Sequence, residues 1–256
     1  MKRLFGRANQ EKNGEDDDIP AVPETTQPEQ TYDVSFDELR TGFTASVSHE
    51  LRTPLARIMA LLDSTDLDGA DVRSLIVQAR AEVENAGTLI DEILFLSELE
   101  SGKEIVALGQ TNVRPVLEEV VAEHEGGAGR AGVTLRAEGD PGLDLPLRPR
   151  MLKIVAVNLA ENAIRYAGHG ATFTLSITAE PGGTVLAAVD DGPGIAEADV
   201  QRLFERFWRA DSARASRGTG LGLAIVKHVV TAAGGTVEAT SSPGAGLRVR
   251  CVFPRE

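Results

Sequence analysis

Apolar residues recur every three or four positions in two stretches of the N-terminal half of the chain. The first stretch covers residues 36–62 and the second covers residues 72–97, with a short polar segment, residues 63–71, between them. Alternating steps of three and four residues place the apolar side chains on one face of an α-helix. The two stretches are therefore predicted to form a helical hairpin. Its second helix is expected to end at Ser101 and Gly102, because glycine relieves the left-handed strain of a helix C-cap.

A two-helix hairpin has too little interior to bury both of its apolar faces. The economical arrangement is a four-helix bundle to which each of two chains contributes one hairpin. The hydrophobic pattern therefore predicts a homodimer.

The pattern changes in the C-terminal half, where helical and strand-like segments alternate. Helices are predicted at residues 115–123, 149–166, 199–208 and 221–233. Strands are predicted at residues 133–137, 173–178, 184–190, 236–241 and 247–253. The expected fold class is α + α/β, a helical hairpin that forms a dimeric four-helix bundle and is followed by a separate α/β domain.

The first 34 residues have a different composition. They include an acidic run, residues 15–18, and three prolines, and they contain too few apolar residues to bury a core. The chain is therefore predicted to consist of an acidic disordered tail, residues 1–34, a helical domain, residues 35–102, and an α/β domain, residues 103–256.

Composition excludes several classes of function. The formal net charge of -13 argues against broad contact with nucleic acid or an anionic membrane, because both would repel the chain. No stretch reaches the roughly 18 to 20 consecutive apolar residues of a membrane span, and the N-terminus lacks the apolar core of a signal peptide. The single cysteine, Cys251, excludes an internal disulfide and is interpreted as a small buried hydrophobe. We expect a cytoplasmic protein.

One segment of the first helix carries candidate chemistry. At about 100° per residue, His49 lies opposite the apolar stripe and is expected to project into solvent, as a phosphoryl acceptor requires. Glu50 is an adjacent carboxylate that can accept an imidazole proton, and Thr53 lies one turn further on the same face. Pro54 cannot donate a backbone hydrogen bond, so a bend is expected near the histidine. The alternative is an ordinary bundle helix with a solvated polar face.

The segment FTASVSHELRTPLARI resembles the phosphoacceptor box of the sensor histidine kinases nearly residue for residue. The resemblance implies that His49 is phosphorylated, that Glu50 assists as a base, and that Thr53 helps to position water for dephosphorylation.

The segment VNLAENAIRYA resembles the asparagine box of the same family. Asn158 and Asn162 are one helical turn apart and so share a face. The resemblance implies that both face the triphosphate and that Asn162 coordinates Mg²⁺, for which an amide oxygen is a suitable ligand. It also implies that Arg165 contacts phosphate and that Tyr166 lines the purine region.

The segment VDDGPGI resembles the next box of the family. In that box an aspartate, here Asp190, receives the adenine amino group. Two glycines, here Gly192 and Gly194, let the backbone approach the base. Taken alone, this segment is also typical of a turn that follows a strand.

The segment LFERFWRAD resembles the phenylalanine box. The resemblance implies that Phe204 and Phe207 are packing anchors and that Arg209, together with Arg206, faces the terminal phosphate. The alternative is that these arginines lie on the surface of an amphipathic helix.

The segment RGTGLGLAI resembles the last box. Gly218, Gly220, Leu221 and Gly222 are implied to hold phosphate oxygens through backbone amides and the N-terminus of the next helix. The small polar segment between Ala210 and Arg217 is expected to be a flexible lid over ATP.

The resemblance covers residues 35–256 and implies that the α/β domain is the ATP-binding sandwich shared with DNA gyrase and mismatch-repair ATPases. It implies a kinase that uses ATP and Mg²⁺ to phosphorylate His49, passes the phosphoryl group to an aspartate of a response regulator receiver domain, and dephosphorylates that regulator. One departure is the segment LRPRMLKIVAVN, which lacks the Gly-Asp that often precedes the asparagine box.

Two alternatives to the kinase remain open. A gyrase-type ATPase has a water-activating glutamate four residues before its magnesium asparagine, where this chain has Asn158. Without that base the pocket favours transfer to a positioned acceptor. The other alternative is a dimeric scaffold that binds ATP without turning it over.

Overall fold

The computed structural model describes the backbone of residues 31–67, 69–101, 109–210 and 218–255, and side chains from residue 46 onward. The chain divides into two units between Phe43 and Thr44, and the side chains considered below all belong to the second. Residues 1–30 of the tail expected at 1–34, and the lid expected between Ala210 and Arg217, lie outside the described residues.

The predicted helical hairpin is confirmed. Helix α1 spans Thr31–Asp63, a 3₁₀ turn spans Ser64–Asp66, and helix α2 spans Val72–Glu100. Asp71 caps α2, because its side chain accepts a hydrogen bond of 3.1 Å from the backbone N–H of Ser74. The polar segment that interrupts the hydrophobic pattern is therefore the connection between the two helices.

The ends of the hairpin differ in detail from the prediction. Helix α1 begins at Thr31, so residues 31–34, which were predicted to belong to the tail, are helical. Helix α2 ends where expected, with Ser101 as the C-cap. The role assigned to Gly102 lies outside the described residues. Helix α1 also continues through Pro54 without interruption.

The α/β domain contains four more helices and seven strands within its described residues. The helices are α3 (Val113–Ala131), α4 (Pro149–Tyr166), α5 (Glu197–Val200) and α6 (Gly222–Ala232). The first strands are β1 (Thr111–Asn112), β2 (Thr134–Gly139), β3 (Asp144–Leu145) and β4 (Thr172–Glu180). The others are β5 (Gly183–Asp190), β6 (Thr236–Ser241) and β7 (Leu247–Phe253).

Five strands form one mixed sheet in the order β2-β4-β5-β7-β6. Strands β2 and β4 are parallel, and every other neighbouring pair is antiparallel. Strands β1 and β3 form a separate two-stranded ladder. Helix α4 contacts both α3 and α6, and all three helices contact the sheet, so the domain has one layer of helices on one layer of strands. The predicted α/β sandwich is confirmed.

The core lies between these two layers. Helix α4 buries one face completely, and alternate residues of the central strands face it. The largest buried side chains include Met151, Leu152, Leu175, Ile177 and Phe253. Each such side chain contributes about 1.5 to 3 kcal/mol on transfer from water. Cys251 belongs to this core, and burial raises its pKa to about 12; the interpretation of this residue as a small buried hydrophobe is confirmed.

The helix predicted at residues 199–208 is wrong. Only Glu197–Val200 is helical, and residues 201–207 form consecutive tight turns closed by hydrogen bonds between residues three apart. Phe207 has a φ of 61°, which no helix allows. Its backbone N–H donates a 2.9 Å hydrogen bond to the carbonyl of Gly220. A contact distant in sequence thus overrides the helical pattern.

Helix α3 is longer than predicted. It runs through Gly126, Gly127 and Gly129, which disfavour a helix, and its C-cap is Gly132, with a φ of 72°. Its buried face, which includes Val113, explains why it persists. No helix among the described residues is long and apolar enough to cross a bilayer.

Candidate nucleotide site and phosphoacceptor histidine

A cavity of about 380 Å³ opens beside α4, in the size range of small-molecule sites. Eight of the residues predicted to bind the nucleotide line it, namely Asn158, Asn162, Arg165, Tyr166, Gly194, Arg209, Gly220 and Gly222. These residues come from four separate segments of the sequence. The fold therefore places the four motifs around one space.

Helix α4 supplies the polar wall of this cavity. Asn158 donates a hydrogen bond of 2.8 Å from its side-chain Nδ2 to the carbonyl of Ile154, which holds the amide in place. Asn162 follows one turn later, so both amides lie on the cavity side of the helix. Arg165 lies beside Glu161 at 3.7 Å, and both side chains are partly exposed. The wall thus presents two amides, the Arg165 cation and the Glu161 carboxylate.

The glycine-rich loop before α6 packs directly against this wall. A Cβ at Gly222 would lie 2.6 Å from Oδ1 of Asn158, and a Cβ at Gly218 would lie 2.8 Å from the Tyr166 hydroxyl. Gly220 has a φ of 72°. Only glycine permits this approach, which brings the N-terminus of α6, with its unpaired N–H groups, to the cavity. Leu221 is buried and donates its N–H to Thr219 Oγ1 at 3.2 Å.

Asp190 lies at the end of β5 and is almost completely buried. Its Oδ1 accepts hydrogen bonds from the N–H groups of Gly192 at 2.9 Å and Leu247 at 3.2 Å. Burial raises the pKa of Asp190, and these two hydrogen bonds partly offset that rise. The carboxylate therefore organises Leu247, which lines the cavity, and the loop that leads to Gly194.

The segment that contains Phe207 and Arg209 forms another wall of the cavity. Arg209 donates a 3.0 Å hydrogen bond from Nη1 to the carbonyl of Gly218, which joins this segment to the glycine-rich loop. Phe207 is tied to the same loop through Gly220. Arg206 forms an ion pair with Glu100 of α2 and is not among the described residues that line the cavity.

Five of the residues predicted to bind the nucleotide are described by the structure but do not line the cavity. These are Asp190, Gly192, Phe207, Gly218 and Leu221. Each contacts or adjoins a residue that does line the cavity, as the hydrogen bonds and close approaches above show.

Several lining residues were not identified from the sequence. Thr219, Trp208 and Leu223 lie inside the quoted motifs. The predicted site residues next to them in the sequence could therefore have identified them. Leu247 and Glu92 lie outside every motif, and Glu92 belongs to α2. No local sequence feature relates these two residues to the cavity.

His49 lies on α1 with its side chain 74% exposed, as predicted. Its Nδ1 is 3.3 Å from Oε1 of Glu50. The Thr53 hydroxyl donates to the backbone carbonyl of His49 at 3.4 Å. Beside the histidine, Ala56 and Ala60 form a shallow apolar surface. The imidazole is thus accessible, with a carboxylate at one ring nitrogen.

Two family models match the chain. Residues 39–102 match the His Kinase A (phospho-acceptor) domain, and residues 148–256 match the histidine kinase-, DNA gyrase B-, and HSP90-like ATPases. The chain belongs to the sensor histidine kinases.

Curated histidine kinases are similar over most of this chain. The sensor-like histidine kinase SenX3 of Mycobacterium tuberculosis is 34% identical over 221 residues, which cover 84% of this chain and 54% of SenX3. The probable sensor histidine kinase TcrY of the same species is 35% identical over 214 residues, which cover 79% of this chain and 43% of TcrY. This histidine kinase chain therefore spans about half the length of the curated relatives that it matches.

Solved histidine kinase structures share the fold. AdeS of Acinetobacter baumannii has a TM-score of 0.67 at 24% identity, over 81% of this chain and 98% of that one. Full-length ShkA in complex with AMPPNP has a TM-score of 0.60 at 26% identity, over 82% of this chain and 46% of that one.

Proposed function

We propose that this chain is a protein-histidine kinase that phosphorylates His49 with Mg-ATP. The observation that carries the proposal is the convergence of four motif segments on one cavity in a chain that also exposes the phosphoacceptor histidine. In this proposal residues 35–102 dimerise and carry the phosphoacceptor, and residues 103–256 bind ATP.

The volume and the lining residues of the cavity support ATP as its ligand. Asp190 would accept the adenine amino group, with Gly192 and Gly194 allowing the base to approach and Tyr166 lining the purine region. The loop that contains Gly218, Gly220, Leu221 and Gly222 would hold phosphate oxygens through N–H groups at the N-terminus of α6. The similar ShkA structure contains AMPPNP, which supports a nucleotide here.

The phosphate end of the cavity contains the groups that ATP and Mg²⁺ require. The side chain of Asn162 would hold Mg²⁺, whose charge neutralises the phosphates, with Asn158 one turn away on the same face. Arg165 and Arg209 line the same cavity and would attract the phosphates, and Phe207 holds the Arg209 segment against the glycine-rich loop.

The groups around His49 suit nucleophilic attack. If the Nδ1–H of the neutral imidazole donates a hydrogen bond to Glu50, the lone pair at Nε2 is free to attack the γ-phosphorus. The new N–P bond forms as the bond to the β-γ bridging oxygen breaks, and ADP leaves. The neighbouring carboxylate also stabilises the positive charge that develops on the ring.

The phosphorylated histidine would pass its phosphoryl group to an aspartate of a response regulator receiver domain. The small side chains of Ala56 and Ala60 leave room beside His49 for a docked partner. Thr53 lies one turn from His49 and would orient water during dephosphorylation of the regulator. Cytoplasmic location stays a prediction, as does the expectation that the chain binds no nucleic acid.

The hairpin supports a homodimer through a stripe of exposed apolar side chains. Four large members of this stripe, Leu55, Met59, Val83 and Leu94, are each more than half exposed. In α2, residues 72, 76, 83, 90 and 94 all fall within about 20° of one line along the helix. A second hairpin would cover this stripe and complete a four-helix bundle.

A test uses γ-labelled ATP and an exposed histidine as the matched control. Wild type and His169→Gln should become labelled, and His49→Gln should not, while all three bind ATP. The label should be lost in acid and retained in alkali, as a phosphoramidate is. Acid-stable label on His49→Gln would contradict the proposal. Release of free phosphate without labelling of the protein would favour the gyrase-type ATPase. ATP binding without either labelling or phosphate release would favour the non-catalytic scaffold.

A further inference from the structure

Glu92 is the only residue of the helical hairpin among the described residues that line the nucleotide cavity. At about 100° per residue, it lies on the opposite side of α2 from the exposed apolar stripe. Leu89, Leu96 and Leu99, which are nearly completely buried, occupy the same side. One side of α2 is thus free for a second hairpin, and the other is occupied by the chain's own α/β domain.

The carboxyl group of Glu92 is held weakly inside this cavity. It lines the cavity together with Thr219. Burial raises the pKa of Glu92, and the Thr219 hydroxyl partly offsets the rise. Arg165 is the favourable charge facing it and Glu161 is the unfavourable one. Its Oε2 is buried without a hydrogen-bond partner in the described part of the chain. Such a carboxylate is costly to desolvate, so a ligand with better contacts can displace it.

Thr219 belongs to the glycine-rich loop, between Gly218 and Gly220. A carboxylate and a phosphate are both oxyanions and are bound by the same hydroxyl and N–H donors. They also repel each other at close range. Glu92 therefore lies where a nucleotide phosphate would compete with it.

We propose that Glu92 competes with the phosphates of bound nucleotide for the glycine-rich loop, so that α2 docking and ATP binding oppose each other. This inference rests on the proposed function, because it concerns regulation of the same nucleotide site. The chain would bind ATP fully only after α2 withdraws from the cavity.

Two further contacts stabilise the docked arrangement. Arg206 pairs with Glu100, and the guanidinium of Arg150 lies 6.0 Å from the centre of the Phe95 ring. Both contacts join α2 to the α/β domain outside the cavity lining. If docking is favoured in the free chain, the apparent affinity for ATP falls in proportion to the undocked fraction.

The first test compares adenosine, ADP and ATP, each with Mg²⁺, by titration calorimetry. Glu92→Gln keeps the shape of the side chain and removes its charge. The variant should bind ATP about five- to tenfold more tightly than wild type, ADP by a smaller factor, and adenosine equally well. Glu98→Gln, the same change at an exposed position of α2, should leave all three affinities unchanged.

A second variant tests the coupling without altering the cavity. Glu100→Gln removes the ion pair with Arg206 and should also tighten ATP binding while leaving adenosine binding unchanged. Wild-type or weaker ATP affinity in both variants would overturn the inference. If His49 is nevertheless labelled normally by ATP, the proposed kinase function stands. A wild-type chain that neither binds ATP nor becomes labelled would instead contradict the proposed function.

Discussion

At the scale of single residues, the glycines of this site act through packing as well as through access to a ligand. A side chain at Gly194 would meet the carbonyl oxygen of Ser242 at 2.1 Å, and one at Gly222 would meet Asn158. Gly194 also has a φ of 64°, which disfavours any other residue. These glycines therefore set the distances between the motif segments as well as exposing backbone amides.

Asp190 is buried and is also proposed to bind adenine. Its ionisation should affect the stability of the fold and the affinity for adenine in opposite directions. Because its pKa is raised in the folded chain, the carboxyl group contributes most to stability below its unfolded pKa. That contribution is lost as the pH rises through the folded pKa. Adenine binding is favoured by the ionised form, since the amino group donates to a carboxylate.

We therefore predict that adenosine affinity falls as the pH is lowered, beginning above the pH at which an ordinary aspartate titrates. Asp190→Asn keeps an oxygen for the N–H groups of Gly192 and Leu247 but places an amide donor against the adenine amino group. It should bind adenosine about 10- to 100-fold more weakly and lose the pH dependence. Calorimetry between about pH 5 and pH 8 measures both effects, and a flat wild-type profile would contradict the assignment.

At the scale of elements, α2 shows why a helix can be identified from sequence more easily than its neighbours. The three-four spacing correctly predicted the helix and the apolar stripe through Val72, Val83 and Ile90. It did not predict the use of the opposite side, where Leu96 and Leu99 are buried, or the contact of α2 with α6 of the α/β domain. Periodicity defines a face, but the partner of that face depends on tertiary contacts.

The exposed stripe leads to a prediction about oligomeric state. Val83→Lys places a charge in the middle of the proposed dimer face, twice per dimer. Burial of an unpaired charge is costly, so the dissociation constant should rise by about 100-fold or more, as measured by light scattering across a dilution series. Gln78→Lys, an exposed position on another side of α2, should remain dimeric. A dimeric Val83→Lys would place the interface elsewhere.

At the scale of the whole molecule, the proposed function separates into dimerisation by the hairpin and chemistry by the α/β domain. Asn162 lines the cavity, and the apolar stripe lies on the other side of α2 from the residue that reaches this cavity. Loss of the Asn162 side chain should therefore leave dimerisation intact.

We predict that Asn162→Ala remains a dimer but labels His49 at less than about one hundredth of the wild-type rate, because electrostatic stabilisation by one group is commonly worth two to three orders of magnitude. Asn112→Ala provides the control, since Asn112 donates a hydrogen bond of 2.7 Å to Pro141 far from the cavity motifs. Light scattering and labelling with ATP, measured on the same preparations, report the two properties separately. Normal labelling of Asn162→Ala would remove this residue from the magnesium site.

The sequence by itself determined the hairpin, the class of the second domain, the family and the four motif segments that surround the cavity. Helices with strong periodicity form from local contacts, and motifs such as VNLAENAIRYA and RGTGLGLAI are contiguous, so neither requires knowledge of the rest of the chain. Only the tertiary structure decided that residues 201–207 are turns, because the bond from Phe207 to Gly220 joins segments that no local rule relates. It also decided that Glu92, more than a hundred residues before Thr219, shares a cavity with it. Such contacts depend on how two separately formed elements pack, and neither periodicity nor motif spacing contains that information.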